Sequence, residues 1–308
     1  MTVTLLITGA TGFIGSRVAA AARRRPDVRV RLLTRHPSGP ASAAAATVHG
    51  DLTDPRSLHG SCTGVDVLVH CASRIGGDPE GVAAVNDRGT KALVEEAVRS
   101  GVRRIVYVST AAVHGRGPFR GVRPGEAPIA PASATSATRA AAERHVLEAG
   151  GLVLRPHLVY GIGDRWVIPG LVGLLRELSA TLTGCAALQS MIDVDTLGRA
   201  TVAAALSPSL GTGAHYVNHP DPVPATELLA AVSAQVERPG DGATIDVATA
   251  SARPAGSPVA RHHLGLLTVD HWFTDDAFWK TLDCSPGEGF ARTFPQAAPW
   301  YRSFLSGH

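Results

Sequence analysis

Thr8-Gly9-Ala10-Thr11-Gly12-Phe13-Ile14-Gly15 is the stretch on which the fold turns. Ahead of it, Val3–Thr8 is an unbroken apolar run, as a strand buried on both faces requires. Behind it, Phe13–Arg24 carries a helical pattern that Pro26-Asp27 ends. In a strand–turn–helix of this kind Gly9 lets the chain leave the strand sharply. Gly12 lets the backbone approach a pyrophosphate, and Gly15 lets the helix pack close to the sheet. The free N–H groups and positive dipole end of the first helical turn then suit phosphate, which makes Gly9, Thr11, Gly12, Phe13 and Ile14 candidate cofactor contacts.

Outward from this turn the alternation continues. Val28–Leu33, Val65–His70, Ile105–Ser109 and Leu152–Leu154 read as strands, and Gly81–Ser100 and Ala134–Ala149 as the helices between them. Strands joined through crossover helices predict a doubly wound α/β fold of the Rossmann type, with a parallel sheet. Gly115–Pro131, rich in Gly, Pro and Arg, reads as a loop, and Ala41–Ala46 as a surface connection. Beyond Gly161 the alternation loosens: Leu171–Leu178, Thr196–Leu206 and Ala225–Val236 read as helices and His215–Asn218 as a strand. Aromatic residues crowd into Asp275–Leu305. The expected organisation is a dinucleotide-binding domain over 1–160 and a smaller C-terminal substrate lobe over 161–308, some of whose segments return to the core.

The second strand ends in Thr34-Arg35-His36 with no carboxylate to take ribose hydroxyls. Arg35 can fork onto a 2′-phosphate, with Arg17 assisting, so the expected cofactor is NADP(H). Composition narrows the function classes further. The 308 residues are 44% hydrophobic and 18% charged, which excludes a disordered chain. A net charge of +3, dispersed, gives no footing for nucleic acid. No apolar run approaches the roughly 20 residues of a membrane span, and Met1–Ile14 lacks a basic leader, so no membrane partner and a cytoplasmic location are expected. Cys62, Cys71, Cys185 and Cys284 fall at irregular spacings that point to neither a disulfide framework nor a metal site. The Ala- and Arg-rich composition suggests a GC-rich genome. Oligomeric state is left open.

Further motifs, in order, resemble the extended short-chain dehydrogenase/reductase family over nearly the whole chain. His49-Gly50-Asp51-Leu52-Thr53 is similar to its adenine contact, with Asp51 and Leu52 on the ring. Val69-His70-Cys71-Ala72-Ser73 is similar to its strand end beside the cofactor, which implicates Cys71, Ala72 and Ser73. Asn86 and Gly89-Thr90 resemble its N-x-x-G-T helix. Leu154-Arg155-Pro156-His157-Leu158-Val159-Tyr160-Gly161 resembles the segment passing the nicotinamide, with Pro156 and Val159 as cofactor contacts, and Ile192-Asp193-Val194-Asp195 a later element. The resemblance implies a hydroxyl in Val108-Ser109-Thr110, hence Ser109 and Thr110 as catalytic candidates. It also implies a Tyr-x-x-x-Lys pair on the following helix.

That pair is absent. In register with Glu143, Thr135 stands at the Tyr position and Arg139, a candidate for the cofactor ribose, at the Lys position. None of Tyr107, Tyr160, Tyr216 and Tyr301 has a basic residue four places on, and neither Lys91 nor Lys280 has a Tyr four places before it. A Thr hydroxyl is a far weaker acid than a phenol, and Arg stays protonated. Losing general-acid help of about 10²–10⁴ would cripple an ordinary carbonyl reductase while leaving binding and hydride orientation intact. The expected function is an NADPH-dependent ketoreductase in antibiotic biosynthesis, acting on an aromatic polyketide ketone of angucyclinone type. The proton would come from the substrate's phenol or from water. The alternative is an inactive NADP(H)-sensing regulatory protein; an epimerase or dehydratase, which leans on the same Tyr, ranks last. His70 is read as structural, and His114 and His157 as structural or proton-donating groups near the nicotinamide. His114, Arg165, Trp166 and Met191 are candidate substrate contacts.

Overall fold

The computed structural model describes residues 2–35, 46–238, 242–252 and 256–307. Its main sheet has seven parallel strands: β1 (Val3–Thr8), β2 (Val28–Thr34), β3 (Ala46–His49), β4 (Val67–His70), β5 (Arg104–Val108), β6 (Leu152–Arg155) and β7 (Gly213–Tyr216). Their spatial order is β3-β2-β1-β4-β5-β6-β7, which is Rossmann topology. The order reverses between β1 and β4, so a crevice opens beyond the C-terminal ends of those two strands.

The continuous apolar runs reflect two buried faces. Leu5 and Ile7 of β1 pack into one cluster with Val18 and Ala22 of helix α1 (Phe13–Arg23). Leu6, between them, points the other way, to Leu93 of α2 (Thr90–Arg99) and Ala142 and Val146 of α3 (Ala134–Glu148). Beyond β6, α4 (Val167–Leu178) builds a separate core with the helices Ala225–Gln235 and Phe290–Ser306, into which Phe290, Phe294 and Tyr301 pack. Helix α5 (Val194–Leu206) returns to the main sheet and lies on α1, where Gly198 meets the Arg17 backbone.

Three local readings are corrected. Gly115–Pro131 is not all loop: Phe119–Val122 is a strand pairing in parallel with His271–Phe273. Its Gly/Pro content signals turns, and its partner lies some 150 residues away, where no local pattern reaches. The Gly81–Ser100 helix is three pieces: Pro79–Ala83, a wide turn over Ala84–Gly89, and α2. The wide turn aims Asn86 inward, where its carboxamide exchanges two hydrogen bonds with the Arg74 backbone and donates to Thr138 Oγ1. Of the Ala41–Ala46 connection, residues 41–45 lie outside the described residues and Ala46 opens β3.

The β1–α1 turn is sterically closed. Gly9 has φ +68°, and a Cβ there would stand 2.7 Å from the Ala72 nitrogen; a Cβ on Gly15 would stand 2.2 Å from the Gly9 oxygen. Gly15→Ala must therefore push α1 off the sheet. The expected loss is about 1–3 kcal/mol in chemical denaturation; an unchanged midpoint would show that the turn has slack.

Candidate functional site

The crevice is lined by the ends of β1 and β4. Thr8 Oγ1 accepts the Cys71 and Ala72 backbone N–H groups, both at 3.2 Å, and so donates its own proton to His70 Nδ1, 2.6 Å away. His70 Nε2–H then donates to Thr90 Oγ1 at 2.9 Å. The ring is fully enclosed and neutral, and desolvation chiefly, with the Arg139 charge adding to it, holds its pKa down to about 3. His70 is thus a strut joining β1, β4 and α2. The neighbouring Arg139 arises from α3.

Above this floor, Gly12 caps α1 without any side-chain hydrogen bond, and the first turn contains no acidic residue. Its N–H groups, together with exposed Thr11 and half-buried Phe13 and Ile14, face the crevice mouth; Cys71, Ala72 and Ser73, all half-buried, form the opposite lip. At the adenine end, Arg35 is exposed where β2 stops. Asp51 Oδ1 accepts the Thr53 backbone N–H and hydroxyl, both at 2.8 Å; that backbone bond is the main cause holding its carboxyl below the usual range, and Arg35 contributes its field. Leu52 is buried against Gly89, where a Cβ would come within 2.7 Å of the Leu52 side chain. The glycine of the N-x-x-G-T pattern is a contact requirement. Arg17 donates to the Ile162 carbonyl at 3.1 Å and pairs with Asp195, tying α1 to α5.

At the reaction end, β5 continues beside the chain that leaves β6. Ser109 N–H donates to the Leu154 carbonyl at 2.7 Å and Ala111 N–H to that of Pro156 at 2.8 Å, so Thr110 lies between two backbone ties. Thr110 Oγ1 accepts the Ala112 N–H and caps a short 3₁₀ turn over Ala111–His114. Ser109 Oγ is buried without a partner among the described residues. Arg139 is buried, donates from Nη2 to the Val108 carbonyl at 2.6 Å, and sits 5.9 Å over the Tyr107 ring; among the described residues its Nε has no partner. Thr135 accepts the Gly76 N–H at 3.4 Å. Pro156 and Val159 are buried in the segment below. Orphaned polar atoms on Ser109 and Arg139, the uncapped α1 turn and the glycine cradle fit a dinucleotide running from Arg35 to Arg139.

The candidate substrate contacts part company. His114 is buried: Nδ1–H donates to the Pro128 carbonyl and Nε2 accepts from Tyr216, each at 2.8 Å, leaving no nitrogen for a ligand. Burial foremost lowers its pKa. Beside it runs a buried ion pair, Arg155 to Glu143, whose Nη2–Oε2 distance is 2.5 Å. Met191 is core, on a strand that pairs with Leu158–Tyr160. Arg165 and Trp166 are exposed ahead of α4, whose first turn is held by buried Asp164 through bonds from Trp166, Val167 and Ile168. The Glu143–Arg155 pair and Gln189 were missed: an acid and a base twelve residues apart on different elements carry no local signal.

Comparison with known proteins fits this geometry. The NAD dependent epimerase/dehydratase family matches residues 5–217. The chain belongs to that family. Its members are nicotinamide-dependent oxidoreductases and epimerases. Among family relatives, a 2-alkyl-3-oxoalkanoate reductase of Stenotrophomonas maltophilia is 27% identical over 262 residues, spanning 80% of this chain and 79% of its own. A 4-hydroxy-2-methyl-3-oxo-4-farnesyl-3,4-dihydroquinoline-1-oxide ketoreductase of Stigmatella aurantiaca is 30% identical over 183 residues, 55% of this chain and 54% of its own. A short-chain dehydrogenase/reductase superfamily protein of Agrobacterium tumefaciens with bound NAD shares the fold, with a TM-score of 0.76, 19% identity, and 99% and 98% of the two chains covered. No helix among the described residues is long and apolar enough to cross a membrane.

The buried histidine also sets a pH dependence. A neutral ring in the fold against a free pKa near 6.5 means that His70 contributes fully above pH 6.5. That contribution falls as pH drops from 6.5 toward about 3, at up to ~1.4 kcal/mol per pH unit. His70→Asn should be less stable at pH 7.5 yet lose stability less steeply between pH 6 and 5, by about one proton's worth. Parallel stability–pH curves from urea melts would refute this.

Proposed function

We propose that the protein is an NADPH-dependent ketoreductase that reduces a flat aromatic polyketide ketone of angucyclinone type without a protein general acid. The observation that carries it is the state of the groups around the reaction end. The Thr135 hydroxyl, at the expected phenol position, accepts the Gly76 N–H and is a far weaker acid than a phenol, and Arg139 is fixed on the Val108 carbonyl. Burial raises the phenols of Tyr107, Tyr160 and Tyr216, the last to about 12. Burial likewise lowers the imidazoles of His70, His114 and His157, so that they are neutral. A proton donor tuned near pH 7 is what an ordinary reductase of this fold needs.

When bound, NADPH supplies the hydride. Thr110 and Ser109 orient the carbonyl oxygen, and Arg139 holds the cofactor ribose. A phenol adjacent to the ketone polarises it through an internal hydrogen bond and gives its proton to the oxygen as the carbon is reduced; the phenolate recovers a proton from water. Both relatives above carry names of reductases of oxo compounds, and one names a fused-ring substrate. The narrowest form of the proposal has the angucyclinone of simocyclinone biosynthesis as substrate, in a soluble cytoplasmic enzyme of antibiotic biosynthesis.

Incubation with NADPH and a panel of ketones flanked by a phenol should consume nicotinamide absorbance, and their O-methyl ethers should react about 10²-fold more slowly. Cofactor binding without consumption across the panel would instead favour an NADP(H)-sensing regulator. Arg35→Ala should weaken NADPH by roughly 10–100-fold, the value of charge-assisted bonds to the 2′-phosphate, and leave NADH within twofold. Equal loss for both cofactors in equilibrium titration would remove the NADP(H) assignment.

A further inference from the structure

His157 leaves β6 directly after Pro156, whose carbonyl is tied to Ala111, the residue after Thr110. Its backbone therefore follows directly on the residue tied to the Thr110–Ala111 segment. Its protonation pattern is dictated from behind. The Gln189 amide nitrogen donates to two carbonyls, Leu266 at 2.5 Å and Val269 at 2.8 Å, so the amide oxygen must face His157. That oxygen, 3.1 Å from Nε2, accepts and so requires the proton on Nε2. Asn218 fixes the main chain by accepting the His157 N–H at 2.8 Å. The ring stacks on His271, 5.4 Å away and within 9° of parallel, and lies 5.7 Å from Phe273. His271 is pinned neutral as well, donating from Nδ1 to the Val269 carbonyl and accepting the Gly117 N–H at Nε2. Burial first and His271 second hold the His157 pKa down to about 3. The residue is only half-buried, and among the described residues no group bonds Nδ1. A neutral ring with its one proton spent on Gln189 donates nothing further; it offers a lone pair.

We propose that His157 presents this Nδ1 lone pair to a substrate hydroxyl, making it a specificity-determining residue that selects ketones carrying a second O–H group near the carbonyl. The inference rests on the ketoreductase reading for the nature of the ligand. The hydroxyl is distinct from the phenol that covers the ketone oxygen, because that proton is already committed. Gln189 is a positioning residue that sets the tautomer. A polyhydroxylated aromatic ketone satisfies both demands.

The test uses the full chain loaded with NADP⁺ and equilibrium binding of hydroxy-tetralones: 8-hydroxy-1-tetralone, its forms with one further hydroxyl on the saturated ring, and their methyl ethers. At least one added hydroxyl should tighten binding about tenfold in the wild type, an advantage that the matching ether lacks. His157→Phe should erase that advantage while NADP⁺ affinity stays unchanged, and Gln189→Leu should shrink it. An advantage that survives in His157→Phe, or no advantage for any hydroxylated form, overturns the proposal. Should His157→Phe fail to load cofactor, ¹⁵N NMR of the wild type decides. An Nε2-protonated ring whose Nδ1 resonance moves on adding the hydroxyketone supports the assignment; an Nδ1-protonated or unresponsive ring refutes it. Turnover of NADPH is read separately, so selective binding without consumption would defeat the ketoreductase reading and leave His157 in its role.

Discussion

One hydroxyl organises the site. Thr8, the last residue of β1, accepts two backbone N–H groups from the chain leaving β4 and donates to His70. This draws the two strand ends together at the one place where the sheet reverses direction. With the strands so close, residue 9 has no room for a Cβ against Ala72, and residue 15 none against Gly9. The glycines follow from the close approach, and the close approach puts the start of α1 where an anionic ligand would bind. His70 extends the constraint to α2 through Thr90, so that the crevice is braced from below by a chain of short side-chain bonds in a dry interior.

The reaction end is built on the opposite principle. Burial pushes Tyr107, Tyr216, His70, His114 and His157 toward their uncharged forms, and Arg139 is engaged by backbone. Burial raises phenols and lowers imidazoles because both shifts favour the uncharged form. Tyr107 and His70, stacked at 5.3 Å, show both movements side by side. The cation at the Lys position, Arg139, has its guanidinium shared between the Val108 carbonyl and the face of Tyr107. A fixed charge of this kind holds a ligand and cannot relay a proton. On the function proposed above, the acid would sit on the substrate, and a neutral acceptor at His157 would be the complementary means of choosing a hydroxylated ligand.

The buried pair Glu143–Arg155 joins these two ends mechanically. Glu143 rises from the same helix as Arg139, Arg155 precedes Pro156 and His157, and His114 and Tyr216 close the ring at 2.8 Å. Removing one partner from a pair this enclosed strands the other charge, which is far more damaging than the pair's net worth. The network therefore fixes the spacing between α3 and β6, and with it the distance between Arg139 and the Ser109–Thr110 turn.

What could be read from the linear chain was what depends on near neighbours. The strand–glycine–helix turn, the apolar runs of a sheet covered on both faces and the missing Tyr-x-x-x-Lys spacing are all periodic or contiguous, so residue order sufficed. The wide turn that aims Asn86, the strand at Phe119–Val122, the bonding of Arg17 to Ile162 and Asp195, and the burial of His114 and Met191 depend on partners tens to hundreds of residues distant. Sequence position gave His114 and His157 equal standing as structural or proton-donating groups near the nicotinamide, and only His114 a place among the substrate contacts. Packing separated them: both nitrogens of His114 are consumed by Pro128 and Tyr216, whereas Gln189 consumes one nitrogen of His157 and thereby defines the other. A side chain's free valence is what remains after its neighbours are satisfied, and those neighbours exist only once the chain has folded.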